Sequence, residues 1–168
     1  MFSLEDERYR IRLSVLGYQY DDLSLHFYDL QWLRLRAEVE SDRFSFVCED
    51  PSVTTIELER YIRWLEAWAT GAGDREEMYP FWDQTLRYCA AREDNGNLSL
   101  TVVLAHELLD EDQVPADCID DHELRLTFSR LAPSVFEHLA EQARETLRRY
   151  PVRGEHGEPN PDAEKPRG

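Results

Sequence analysis

The chain has 168 residues, of which 35 are acidic and 19 basic, so its formal net charge at pH 7 is −16. A hydrophobic fraction of 42% and a charged fraction of 32% are typical of a globular protein with a core of its own. Phosphate backbones and anionic lipids repel so negative a chain, which argues against nucleic acid and membranes as partners. The charge instead favours a basic partner.

Simple features of the sequence indicate where the protein is located and what its cysteines do. The first seven residues include three acids and lack an apolar stretch, unlike a signal peptide, so we expect a cytoplasmic protein. No apolar run approaches the ~20 residues that a membrane-spanning helix needs. The cysteines Cys48, Cys89 and Cys118 are odd in number and form no CxxC pair, which argues against a disulfide framework and a zinc site.

The first half of the chain predicts three strands and a helix. Apolar residues alternate with polar ones over 8–16, 32–40 and 44–48, which is typical of strands with one buried face. Thr54 and Glu57 then have the spacing of a helix capping box. Apolar residues at helical spacing follow as far as Trp68, and Gly71 and Gly73 end the helix.

The second half predicts the same succession. A strand is expected within 81–92, followed by an Asn95-Gly96 hairpin turn, because both residues tolerate positive φ. Further strands are expected over 98–104 and 123–129, separated by a long acidic loop over 106–121. A helix begins near Pro133 and ends at Pro151. We expect residues 154–168, rich in glycine, proline and charge, to form a disordered polar tail.

The order of elements is therefore βββα-βββα. Short connections between most successive strands favour antiparallel pairing. Each helix has one apolar stripe, and both would cover the same face of a sheet. We therefore predict a single α+β domain over residues 1–153, built from one curved antiparallel six-stranded sheet with two helices on one face.

The acidic loop is the segment most suggestive of a binding site. Between Arg92 and Arg125 there is no lysine or arginine, whereas ten acids lie in the hairpin turn and the loop. If these two connections lie at the same end of the sheet, they would make one negative patch that steers a basic partner. The residues expected to bind that partner are Asp110, Glu111, Asp112, Asp117, Asp120, Asp121 and Glu123.

A metal-binding or enzymatic regulator is the alternative interpretation of the same loop, with His106 and His122 beside the carboxylates. The calcium-loop pattern fails, because Val114 stands where a ligand is needed and Pro115 where glycine is needed. No phosphate-binding glycine motif and no GxSxG or HExxH motif occurs in the sequence. We therefore expect a binding protein and not an enzyme, with no cofactor, no metal ligand and no catalytic residue.

Aromatic residues cluster in two connections and suggest a second surface. The first group lies between the first two predicted strands and the second group precedes the fourth: Tyr18, Tyr20, Phe27, Tyr28 and Trp32, then Tyr79, Phe81 and Trp82. Such residues pack at the edge of a core or act as anchors at an interface. The sequence leaves both possibilities open.

Several segments together resemble the WapI-type bacterial immunity proteins. They are residues 28–33 entering a strand, the helix over 57–68, the hairpin over 86–103, the strand over 124–128 with the helix after it, and residues 149–154. The resemblance implies a cytoplasmic antitoxin that binds and blocks a toxic domain, often a basic nuclease. Because immunity families vary most where they contact the toxin, no binding residue is carried over.

The leading hypothesis is therefore an immunity protein, a monomer or homodimer, that binds and neutralises a cognate polymorphic toxin through its acidic surface. A general protein-interaction module without a toxin partner is a further alternative.

Overall fold

The computed structural model describes residues 2–22 and 24–154. Two antiparallel sheets and two α-helices make up this part of the chain. The N-terminal sheet has its strands in chain order: β1 (Phe2–Glu5), β2 (Tyr9–Tyr18), β3 (Trp32–Ser41) and β4 (Ser45–Thr54). Apart from Gly154, the predicted disordered tail lies outside the described residues.

The C-terminal sheet has the strand order β5-β6-β7-β9-β8. Its strands are β5 (Glu76–Pro80), β6 (Leu86–Arg92), β7 (Leu98–Ala105), β8 (Ile119–Asp120) and β9 (Glu123–Leu131). Helix α1 (Thr55–Ala69) connects the two sheets, and helix α2 (Pro133–Arg149) follows the second. Short 3-10 turns occupy Asp29–Gln31, His106–Leu108 and Ala116–Cys118.

The α+β class and the antiparallel pairing are confirmed, but the single six-stranded sheet is wrong. The described residues form a four-stranded and a five-stranded sheet, and the order is ββββα-βββββα. Alternation shows which residues point inward, but carries no information on which strands are neighbours. Strand β5 was not predicted because two glutamates and a terminal proline are poor strand formers, and β8 has two residues.

Local signals predicted both helices correctly. Thr54 Oγ1 accepts from the backbone N–H of Glu57 (3.3 Å), and the Glu57 carboxylate accepts from the backbone N–H of Thr54 (2.9 Å), which completes the capping box. Gly73 is required where the chain leaves α1, because a Cβ there would lie 2.7 Å from the Trp68 ring. Helix α2 begins at Pro133, as predicted.

One continuous core contains buried side chains from both sheets and both helices. The helices pack against each other, and Trp68 of α1 stacks on Phe136 of α2 with ring centroids 6.0 Å apart. Tyr61 of α1 contacts Tyr88 of the C-terminal sheet and Phe2 of the N-terminal sheet. This shared packing holds the two sheets and the two helices together.

Candidate functional site

The acidic loop is held by its apolar residues. Leu108, Leu109 and Val114 are buried in the core, and the turn that holds Leu108 lies beside β4. Arg43, in the turn between β3 and β4, donates to the Asp117 carboxylate at 2.8 Å. The loop therefore spans from the C-terminal sheet to the N-terminal one, and burial of three apolar side chains fixes its course.

Three of the predicted partner-binding acids lie within ion-pair distance of an arginine or histidine side chain. Asp117 pairs with Arg43, and this contact lowers the pKa of its carboxyl. Glu111 lies 3.0 Å from Nδ1 of His122. Glu123 lies on β9 and not in the loop, and it pairs with Arg87 and with Arg125.

The other four predicted acids lack such a partner. In residues 2–22 and 24–154, no arginine, lysine or histidine lies within ion-pair distance of Asp110, Asp112, Asp120 or Asp121. Asp110 accepts from the side-chain amide of Gln113 at 2.8 Å. Asp121 and His122 have φ of 49° and 62°, so they form the two-residue left-handed turn between β8 and β9.

The two acidic connections lie at opposite ends of the C-terminal sheet. The turn over 93–97 precedes β7, whereas the acidic loop follows it, and β7 has eight residues. At ~3.3 Å per residue the two ends are about 25 Å apart. Glu93 and Asp94 therefore do not add to the loop, and the condition for one combined patch is not met.

The described residues offer no ligand set for the metal-binding alternative. In the described part of the chain, no group of three or more histidine, cysteine, aspartate or glutamate side chains is arranged to hold a metal ion. Cys48, Cys89 and Cys118 are free and half-buried in this structure. Neither observation adds support to a metal-dependent role for His106 and His122.

The two aromatic groups, which are far apart in the sequence, meet in the structure through Tyr28 and Trp82. The rings of Tyr28 and Trp82 are in edge-to-face contact with centroids 6.0 Å apart. Tyr79 and Phe81 pack on Tyr61, so the edge-of-core interpretation is correct for them. Trp82 is 65% exposed and Tyr28 38% exposed. These two residues are therefore candidates for contact with a partner.

Glu57 holds the Trp82 loop against the start of α1. One carboxylate oxygen accepts from Thr54, and the other accepts from the backbone N–H of Trp82. Burial is the main reason that the pKa of Glu57 is raised. Gln84, with φ of 61°, closes the turn by donating its N–H to the carbonyl of Phe81 at 2.9 Å.

Two cavities adjoin the Tyr28–Trp82 pair. The larger, of about 520 Å³, extends over the first turn of α1 and is lined in part by Glu57, Arg60 and Gln84. The smaller, of about 250 Å³, is lined by Tyr28, Trp32, Trp82 and Asp83. The second cavity brings three aromatic rings and one carboxylate together.

A comparison with protein families identifies the chain. The model of the immunity protein WapI-like family matches residues 1–151. The chain belongs to this family. No curated protein and no solved structure shows a significant match. No helix in the described residues is long and apolar enough to cross a membrane.

Two of the segments that carry the resemblance to this family contact each other. Gln31 is fully buried, and its amide nitrogen donates to the carbonyls of Phe27 (2.8 Å) and Arg153 (2.7 Å). Its amide oxygen accepts from Thr55 Oγ1 (2.6 Å) and from the backbone N–H of Arg153 (3.1 Å). The Arg153 guanidinium lies over the Tyr18 ring at 3.3 Å.

Sequence reasoning missed this contact because the two segments are 122 residues apart. Residues 28–33 and 149–154 are both among the segments whose sequence resembles the WapI-type proteins, but that resemblance does not show that they are neighbours. The Gln31 contact gives these two segments a structural role, because it fastens the end of the described chain beside the start of β3 and α1. It therefore also supports Trp32, which lines the smaller cavity.

Proposed function

We propose that this chain is a cytoplasmic immunity protein that binds and neutralises a cognate toxin, and that the acidic loop forms part of the binding surface. Membership of the WapI-like family supports the general role. The observation that carries the assignment of the surface is the set of four loop acids without an ionic partner among the described residues. Their negative charge is available to a second protein.

The loop is suited to binding because its course is already fixed. Leu108, Leu109 and Val114 are buried, so little conformational freedom remains to be lost when a partner docks. Exposed carboxylates on such a loop attract a basic surface over about a Debye length and so raise the association rate. A nuclease active site, which must attract phosphate, offers a basic surface of this kind.

Co-expression with the toxin encoded beside its gene tests the function. We expect the chain to restore growth and to elute with the toxin as one complex from a sizing column. Expression of the toxin alone, or with an immunity protein of another family, is the control. Loss of growth together with separate elution would contradict the proposal.

Two variants of equal charge test the surface. The loop variant carries Asp110→Asn, Asp112→Asn, Asp120→Asn and Asp121→Asn, and asparagine also tolerates the left-handed backbone at position 121. The control variant removes four acids outside the loop: Asp74→Asn, Glu93→Gln, Asp94→Asn and Glu137→Gln. We expect the loop variant to protect cells less well, and the control variant to protect them fully.

A further inference from the structure

The cavity of about 250 Å³ between Tyr28, Trp32, Trp82 and Asp83 has the features of a site for one side chain. Aromatic faces attract cations through their negative π-electron density, most strongly in tryptophan. A carboxylate beside them adds an ionic partner. Trp82 is the most exposed large hydrophobic residue in the described part of the chain, at 65%. We call these four residues the aromatic cage.

The cage is already formed in this structure. Buried Phe81 and Thr85 hold the chain on either side of Trp82 and Asp83, and the Glu57 carboxylate accepts from the backbone N–H of Trp82. Trp32 begins β3, where it pairs with Thr54 of β4. Trp32, Trp82 and Asp83 thus come from segments that the core and the strand pairing hold in place.

Charge around Asp83 favours a cation in the cage. Burial, and after it the nearby carboxylates of Asp50 and Glu107, raise the pKa of the Asp83 carboxyl, whereas His106 acts in the opposite direction. The backbone N–H of Ala105 donates to the carbonyl of Thr85, so the Asp83 loop and the acidic loop lie at the same end of the sheet. The cage therefore adjoins the acidic loop.

We propose that the aromatic cage binds one arginine side chain of the partner protein. A guanidinium group is planar, stacks on aromatic faces and forms paired hydrogen bonds with a carboxylate. Tyr28, Trp32 and Trp82 offer aromatic rings, and Asp83 offers the carboxylate. The inference rests on the proposed function only in naming a toxin as the protein that carries the arginine.

A peptide titration followed by NMR tests the cage without a toxin. The probe is the capped tripeptide acetyl-Gly-Arg-Gly-amide, and the matched probe carries citrulline, the neutral isostere of arginine. We expect saturable shifts of the Trp82 and Trp32 indole N–H signals with the arginine peptide. The signals of Trp64 and Trp68, which are both buried, serve as internal references and should not move.

Variants locate the binding. Trp82→Ala and Asp83→Asn should each weaken binding of the arginine peptide by about fivefold or more, as expected for loss of one cation–π contact or one ionic partner. The matched controls are Met78→Ala, at another exposed apolar residue, and Asp94→Asn, at the opposite end of the sheet. Both should leave binding of the arginine peptide unchanged.

Three results would overturn the cage: no saturable shift with the arginine peptide, equal shifts with the citrulline peptide, or unchanged binding in Trp82→Ala and Asp83→Asn. Because the titration contains no toxin, these results leave the co-expression experiment as an independent test. Conversely, peptide binding without protection in cells would contradict the proposed function but support the cage as an arginine-binding site.

Discussion

The outer face of the N-terminal sheet and the acidic loop are both rich in charge, but only the first neutralises itself. On the sheet, Arg10 pairs with Glu5 (2.7 Å) and Glu40 (3.0 Å), and Arg36 pairs with Glu38 (3.0 Å) and Glu49 (3.1 Å). In the loop, four of the acids have no ionic partner among the described residues. The two regions thus use the same residue types in opposite ways.

Strand register explains the pairs on the sheet. Arg10 lies opposite Glu40, Arg12 opposite Glu38 and Arg36 opposite Glu49. Cross-strand neighbours of opposite charge stabilise a sheet by a fraction of a kcal/mol to about 1 kcal/mol each. Asp110, Asp112, Asp120 and Asp121 of the loop make no such pair among the described residues. This difference is the reason that we propose the loop as the surface that binds another molecule.

Removal of an apolar anchor of the acidic loop should have the largest effect on the free energy of unfolding. Leu108→Ala should lower the free energy of unfolding by about 3 kcal/mol, because it leaves a cavity at a fully buried position. Denaturation in urea measures the change. Leu16→Ala, at a 38% exposed leucine, is the control, and an equal loss in both variants would mean that the loop is not anchored by the core.

Removal of the Glu123 contacts should cause a smaller loss of stability, and this loss should depend on pH. The hydrogen bond from Arg87 is the main reason that the pKa of Glu123 is lowered in the folded protein. Its stabilisation is therefore present above the ordinary glutamate pKa and is lost as the pH falls through the folded value. Glu123→Gln should cost about 1 kcal/mol at pH 7 and nothing after acidification. A loss that is independent of pH would contradict this cause.

The charge pairs on the sheet should each contribute little. Arg36→Gln removes the contacts with Glu38 and Glu49, both of which are partly exposed to solvent. We expect a loss of about 0.5 kcal/mol that shrinks at high salt, because solvent and ions screen such pairs. Urea denaturation with and without 1 M salt measures it, and a salt-independent loss would point to packing instead.

The loop variant should change stability in the opposite direction. Removal of mutually repelling carboxylates should raise the free energy of unfolding by about 0.3 kcal/mol at low salt. Thermal unfolding at low ionic strength measures the change against the control variant. A clear loss of stability would show that these acids have stabilising contacts within the fold, and the contrast with the sheet would disappear.

Features set by neighbours in the sequence were predictable, whereas features set by packing were not. The Thr54 capping box and the start of α2 at Pro133 depend on a few adjacent residues. The division into two sheets depends on which strands become neighbours, and the alternation of apolar and polar residues does not show this. Likewise the composition located the acidic loop, but not the Arg43–Asp117 pair, whose members are 74 residues apart.

The aromatic cage shows the same limit at a proposed binding site. Tyr28 and Trp82 both stood out as candidates, each with core packing as the competing interpretation. That Trp82 stays exposed depends on Glu57 and on buried Phe81, which fix the turn between β5 and β6. A residue pattern cannot supply this information, because it follows from contacts between distant segments.

Association with the toxin is the step at which the acidic loop should act, so the association rate constant is the decisive measurement. Stopped-flow mixing at low and high salt compares the native chain, the loop variant and the control variant. We predict association about tenfold slower for the loop variant at low salt, with the difference lost at high salt, and a native rate for the control variant. Equal slowing of both variants, or a native rate for the loop variant, would contradict it.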